Sequence, residues 1–196
     1  MELDSESRQS RIVKIAFKHI AEKGFEGLRV RSVATEANMN HATLLHYFPS
    51  KEDLIRAVVQ YLLQEFRGVG SGEADGANVQ PMEQVLAEIE DIGERLKQTP
   101  EIFIVLIELS LRARRDQSIK QYLEYLDVAW RSHLTRILQH GIREKSFRTD
   151  FDVNATALTL MSHIKGLSLQ ALHMPHADID NLVLQVKDEV KRWLSP

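Results

Sequence analysis

The sequence predicts an all-α protein of about nine helices. Apolar residues recur at three- and four-residue spacing in one segment after another, and no stretch alternates apolar and polar residues with the period of a strand. Short runs rich in Gly, Pro, Asn and Asp separate the segments. The 196 residues are 43% hydrophobic and 27% charged, enough apolar material for a sizeable core in an ordinary globular chain. There is no cysteine, which excludes disulfides, thiolate zinc sites and cysteine nucleophiles. The polar start, Met-Glu-Leu-Asp-Ser-Glu-Ser-Arg8, lacks the apolar run of a secretory signal, so a cytoplasmic location is expected. The longest apolar run, Ile102 to Ile107, meets Glu108 far short of the roughly 20 residues of a membrane span, and no membrane partner is expected.

Residues 1–7 read as a mobile leader. From Arg8 to Lys23, Ile12, Val13, Ala16, Phe17, Ile20 and Ala21 recur at helical spacing, and Gly24 supplies the stop. Arg8, Arg11, Lys14 and Lys18 lie elsewhere on this helix and read as a solvated face, with a phosphate contact near its start as the alternative. Val30, Val33, Ala34 and Ala37 give a short second helix one buried face. Asn38 suits a left-handed stop, and Asn40 can cap a third helix from His41 to Phe48. Two short helices across a tight turn make a helix-turn-helix. On the third helix Leu44 and Phe48 can point inward, leaving His41, Ala42, Thr43, Leu45, His46 and Tyr47 outward or lateral. Small Ala42 and Thr43 permit close approach to a duplex, and hydroxyl and imidazole groups can donate to phosphates or base edges.

Pro49 and Ser50 open a fourth helix, where Ser50-Lys-Glu-Asp53 fits a capping box, with Ser50 accepting from a backbone amide three residues on and Asp53 reaching back. Lys51 then stands beside a partly positive helix terminus, which suits a DNA phosphate better than a free surface lysine. Leu54, Ile55, Val58, Val59, Leu62 and Phe66 continue the stripe. The run from Gly68 to Pro81 reads as a flexible linker: its Gly-x-Gly-x-Gly has neither a preceding strand nor a following Gly-Lys-Ser/Thr. Residues 1–50 therefore form the helix-turn-helix domain, 51–67 a connecting helix and 68–196 a second domain. The first 67 residues carry a net charge of +1 and the remainder −4, with Glu2, Asp4 and Glu6 confined to the leader. That mild basic bias is compatible with phosphate contact.

The second domain holds further amphipathic helices, about 81–97, about 100–114 opened by Thr99-Pro100, and about 118–145. Arg112, Arg114 and Arg115 complement the carbonyl end of the middle one. Asp152 can cap the next, about 153–172, which Pro175 ends, and Ile179, Leu182, Val183, Val186, Val190 and Trp193 make the stripe of the last. Catalytic patterns are missing: there is no Gly-x-Ser-x-Gly and no His-Glu-x-x-His. His41 and His46 point to different sides, His133 and His140 stand about 10 Å apart along a helix, and His173 to His176 reads as an isolated loop. No enzyme, catalytic residue, cofactor or metal site is expected.

Gly24-Phe25, Val30, Val33-Ala34, Ala37, Thr43-Leu44, Tyr47-Phe48 and Ser50-Lys51-Glu52-Asp53-Leu54 follow a long and specific pattern. Through them the chain resembles the tetracycline-repressor (TetR/AcrR) family of bacterial transcriptional regulators. It departs from that pattern at Leu45 in place of tyrosine, Asn38 and Ala42 in place of glycines, and Arg29 in place of a capping threonine. Leu45 can pack on a thymine methyl, which implies altered base preference, and Arg29 can reach a phosphate or stay solvated. The resemblance implies double-stranded DNA as partner. Arg31, Thr43, Tyr47 and Lys51 would hold phosphates, His41, Ala42, Leu45 and His46 would read bases, and Arg29 and Asn40 would flank them. It implies a homodimer on a palindromic operator, with half-sites about one helical turn, roughly 34–36 Å, or a multiple of it apart.

The last two helices would meet their symmetry mates through Ala157, Met161, Ile164, Leu167, Ile179, Leu182, Val183, Val186 and Val190; packing within one chain is the alternative. The resemblance also implies a small-molecule inducer of unknown identity, with Phe103, Ile107, Tyr122, Trp130, His133, Met161 and His163 as candidate lining or plain core. Arg112 to Asp116, Trp130-Arg131, Phe147 to Asp150 and Lys165 to Gln170 are similar to the choline-responsive (BetI-like) branch, in which an aromatic such as Trp130 could hold a cation. Two rivals remain: a helical small-molecule-binding protein with a degenerate DNA-binding head, and a helical-bundle enzyme.

Overall fold

A computed structural model describes residues 2–66, 79–174 and 178–196, with the backbone alone at 2–7 and 66. Among the described residues there are nine helices and no strand. They are α1 (Glu2–Gly27), α2 (Val30–Glu36), α3 (His41–Tyr47), α4 (Lys51–Phe66), α5 (Pro81–Gln98), α6 (Glu101–Arg112), α7 (Gln117–Arg143), α8 (Val153–His173) and α9 (Ile179–Leu194). The linker expected from Gly68 to Pro81 lies largely outside the described residues, as do the Pro175 stop and His176. No helix among the described residues is long and apolar enough to cross a membrane.

The chain divides into two compact units, residues 1–65 with 104–123, and residues 66–103 with 124–196. Residues 104–123, expected with the second domain, thus pack with the helix-turn-helix, and α6 and α7 each run from one unit into the other.

In the first unit α1 is helical from Glu2, six residues before the expected Arg8, and breaks where expected: Gly24 has φ 65° and ψ −179°. That backbone region is essentially closed to other residues. Ile12, Ala16 and Ile20 of α1, Val33 of α2, Leu44 of α3 and Leu54, Val58 and Leu62 of α4 converge in one core. α2 starts without a side-chain cap at Arg29 and stops at left-handed Asn38 (φ 56°). The Ser50 hydroxyl accepts from Asp53 N–H at 3.1 Å and donates to the Asp53 carboxylate at 2.6 Å. The expected box is present, with Asp53 reaching back to the Ser50 hydroxyl.

In the second unit α5 packs along α9 closely enough that a Cβ at Gly93 would lie 2.5 Å from Val183 Cγ2. Phe147 is buried against Gly141, and the Arg148 amide donates to the Leu194 carbonyl at 3.0 Å, fastening the α7–α8 connection to the end of α9. Asp152 caps α8 through Ala155 N–H at 2.6 Å, and Asp178 caps α9 through Asn181 N–H at 3.0 Å.

The apolar stripes of α8 and α9 need a correction. Ala157, Met161, Ile164, Leu167, Val183 and Val190 are buried within the chain itself, and Ile179, Leu182 and Val186 are half-buried. A 3.6-residue period marks which face is covered and is silent on whose residues cover it. The exposed apolar side chains of these helices are others, Leu158, Leu169 and Leu184. His173 is likewise the last residue of α8 and not part of a loop.

Candidate nucleic-acid interface

α3 is built to keep its surface free. The Asn40 side chain accepts from Thr43 N–H at 2.7 Å, fixing the first turn, and Leu44 alone among its residues is buried. Phe48, just past the helix, is buried as well. Ala42, Thr43 and His46 are exposed, while His41, Leu45 and Tyr47 are half-buried. The His46 and Tyr47 rings meet edge to face with centroids 5.9 Å apart. Arg29, Arg31 and Asn40 are also exposed. The outward side chains thus offer a hydroxyl, two imidazoles, a phenol, a methyl and an isobutyl group, the repertoire that reads base edges and thymine methyls.

Lys51 departs from a simple surface lysine. It is half-buried, and its Nζ donates to the Phe25 carbonyl at 3.0 Å. That bond takes one of its three N–H donors and leaves two for a phosphate. Between α1 and α2, buried His19 meets the Glu36 carboxylate through Nε2 at 2.8 Å. This hydrogen bond, helped by Lys18 and Lys23, holds the Glu36 carboxyl below its ordinary pKa despite some desolvation.

Of the candidate ligand-binding residues, Ile107 and Tyr122 belong to the first unit and the other five to the second. Phe103 and Met161 are buried. Trp130 and His133, one helical turn apart on α7, are joined by Glu88 of α5, whose carboxylate accepts from Trp130 Nε1 at 3.3 Å and lies 3.1 Å from His133 Nε2. His163 is exposed and faces Trp193 at 6.3 Å, in a surface groove of about 400 Å³ with Thr159, Glu189, Val190 and Arg192. No three His, Asp or Glu side chains among the described residues are placed to hold a metal ion.

Residues 12–58, which span α2 and α3 entirely, match the family described as bacterial regulatory proteins, tetR family. Residues 81–195 match the BetI-type transcriptional repressor, C-terminal. The chain belongs to the tetR family of transcriptional regulators. Its family and relatives are regulators, not enzymes. This tetR-family regulator is 27% identical over 152 residues to the HTH-type transcriptional repressor KstR2 of Mycolicibacterium smegmatis, an alignment covering 76% of this chain and 71% of that one. In fold it is similar to a transcriptional regulator from Saccharomonospora viridis solved in complex with choline, with a TM-score of 0.86, 21% identity and coverage of 98% and 99%. It is also similar to a TetR transcription regulator from Haloarcula marismortui, with a TM-score of 0.84, 19% identity and coverage of 97% and 100%.

Two polar constellations of the regulator escaped the sequence. Glu88 interrupts an otherwise apolar stripe on α5 and is joined to Trp130 and His133 from 42 and 45 residues away. Its place between Val85 and Ile89, which are both buried, was the available signal. Glu108 closes the apolar run of α6, and its carboxylate accepts from Phe25 N–H at 3.4 Å across 83 residues.

Proposed function

We propose that this protein is a homodimeric, ligand-responsive repressor that works in the cytoplasm on a palindromic operator. The outward face of α3 carries the proposal: a capped helix held by buried Leu44 leaves Ala42, Thr43 and His46 exposed at its front. Thr43, Tyr47, Arg31 and Lys51 hold phosphates; His41, Ala42, Leu45 and His46 read bases, with Arg29 and Asn40 flanking. Two copies meet through the outer faces of α8 and α9, where Leu158, Leu169 and Leu184 stay exposed in the single chain. The inducer is a small cation bound near Glu88 and Trp130 in the second unit, where a carboxylate accepts from the indole N–H and the ring supplies an aromatic face. The choline bound by the S. viridis regulator supports this ligand class.

A gel-shift series with duplexes from upstream of the protein's own coding sequence tests the reading. Retention of one duplex at moderate salt, with affinity falling steeply as salt rises and choline releasing the complex, is the expected result. A chain that binds choline but retains no duplex at any salt is a ligand-binding protein with an inert head.

A further inference from the structure

Phe25 is held at its amide, its ring and its carbonyl within the first unit. Its amide donates to Glu108 Oε2 of α6 at 3.4 Å. Its buried ring lies 5.2 Å from the Arg112 guanidinium one turn further along the same helix. Its carbonyl accepts from Lys51 Nζ at 3.0 Å, and Arg112 stands 3.9 Å from Glu52 beside that lysine. The backbone of Gly24 makes this possible: at φ 65° it kinks α1 just before Phe25, and a Cβ there would sit 3.2 Å from Glu108 Oε2. Glu108 and Arg112, four apart, share one face of α6.

We propose that Glu108 and Arg112 are positioning residues for DNA binding. By gripping Phe25 they hold its carbonyl where it fixes the Lys51 ammonium at the amino end of α4, ready for a phosphate. An unheld lysine samples many rotamers and loses that freedom when it binds; one already oriented loses less. Because a single residue, Phe25, joins α6 to Lys51 through its amide and its carbonyl, a displacement of α6 is passed to the phosphate contact through that residue. α6 begins at residues of the second unit and ends in the first, so the segment that moves Lys51 is continuous with the unit proposed to bind the inducer. The proposal rests on the DNA-binding reading of Lys51.

The test uses the full chain and a duplex enriched from a random pool by the wild type. Lys51→Ala and Glu108→Ala should each weaken binding by about tenfold, the scale of one charge-assisted hydrogen bond. Each should lower the slope of log affinity against log salt by about 0.9 per head. The double variant should bind no more weakly than Lys51→Ala alone. Glu108→Gln, which keeps an acceptor for Phe25 N–H without the charge, should stay near wild type. Glu108→Asp, charged but too short, should behave as Glu108→Ala does and covers the case in which the alanine variant fails to fold. Without DNA, labelling of Lys51 by an amine-reactive reagent, read by mass spectrometry, should rise severalfold in Glu108→Ala, Glu108→Asp and Arg112→Ala. Equal changes in the Gln and Ala variants, full additivity with Lys51→Ala, or unchanged Lys51 labelling in a chain that binds DNA overturns the proposal. A wild type that enriches no duplex overturns the DNA-binding reading itself.

Discussion

α3 and α8 treat their surfaces in opposite ways. α3 has seven residues and buries one, Leu44; α8 has 21 and buries seven, from Thr156 to Ser168. A short helix with a single anchor and a side-chain cap contributes little to the core and leaves most of its side chains for another molecule. A long helix whose inward face is filled by its own chain offers a partner only what is left over, here Leu158 and Leu169. The difference teaches that length and apolar content locate the core, whereas a cap followed by a nearly uncovered turn locates a recognition element.

Breaking the single anchor should have the largest effect on folding. Leu44→Ala removes a side chain with no exposure and should destabilise the head by about 2–5 kcal/mol, measured by urea unfolding, with duplex binding lost alongside. A cost under about 1 kcal/mol would mean that other residues hold α3 in place. Removing the cap comes next: Asn40→Ala should cost about 0.5–2 kcal/mol, because Thr43 N–H is left without its 2.7 Å partner.

Acid sharpens the comparison, since the Asn40 cap carries no charge whereas Asp116 caps α7 through Ser118 and Ile119 N–H. The Ser118 hydroxyl, those amides and Arg112 hold the Asp116 carboxyl below its ordinary pKa against some desolvation. A depressed folded value contributes stability that is present above the unfolded value, about 3.9, and is lost as pH falls through the lower folded value. Unfolding measured from about pH 6 down to about pH 2.5 should show a shallower loss of stability in that acid window for Asp116→Asn than for wild type. The smallest effect on folding is expected on the exposed face of α3. His46→Ala should change stability by less than about 0.5 kcal/mol yet weaken duplex binding by about 1–3 kcal/mol, so parallel melting curves with unequal binding isotherms check it.

What could be read from the chain follows the range of the interactions. The α2–α3 turn was legible because its determinants are neighbours: Asn38 in the left-handed region, Asn40 bonded three residues on, Leu44 one turn later. The Gly24 break was legible for the same reason. The Glu108–Phe25 bond and the Glu88–Trp130–His133 cluster were not, because each joins residues whose proximity depends on how separate helices pack. The stripes of α8 and α9 were seen correctly as apolar faces and assigned to a second copy, although the chain itself buries six of those residues and leaves Ile179, Leu182 and Val186 half-buried. Residues 104–123 packed with the head for a similar reason: helix period carries no information about which unit a helix joins.

The claim that the outward face of α3 reads DNA can be tested at one position. The chain has no cysteine, so Ala42→Cys provides a unique thiol on that exposed face for an iron-chelate cleavage reagent. With a duplex enriched by the wild type, strand cleavage should fall in two clusters whose centres lie about one helical turn, roughly 34–36 Å, or a multiple of it apart. Cleavage scattered evenly along the duplex, or none while the protein stays bound, would contradict the account.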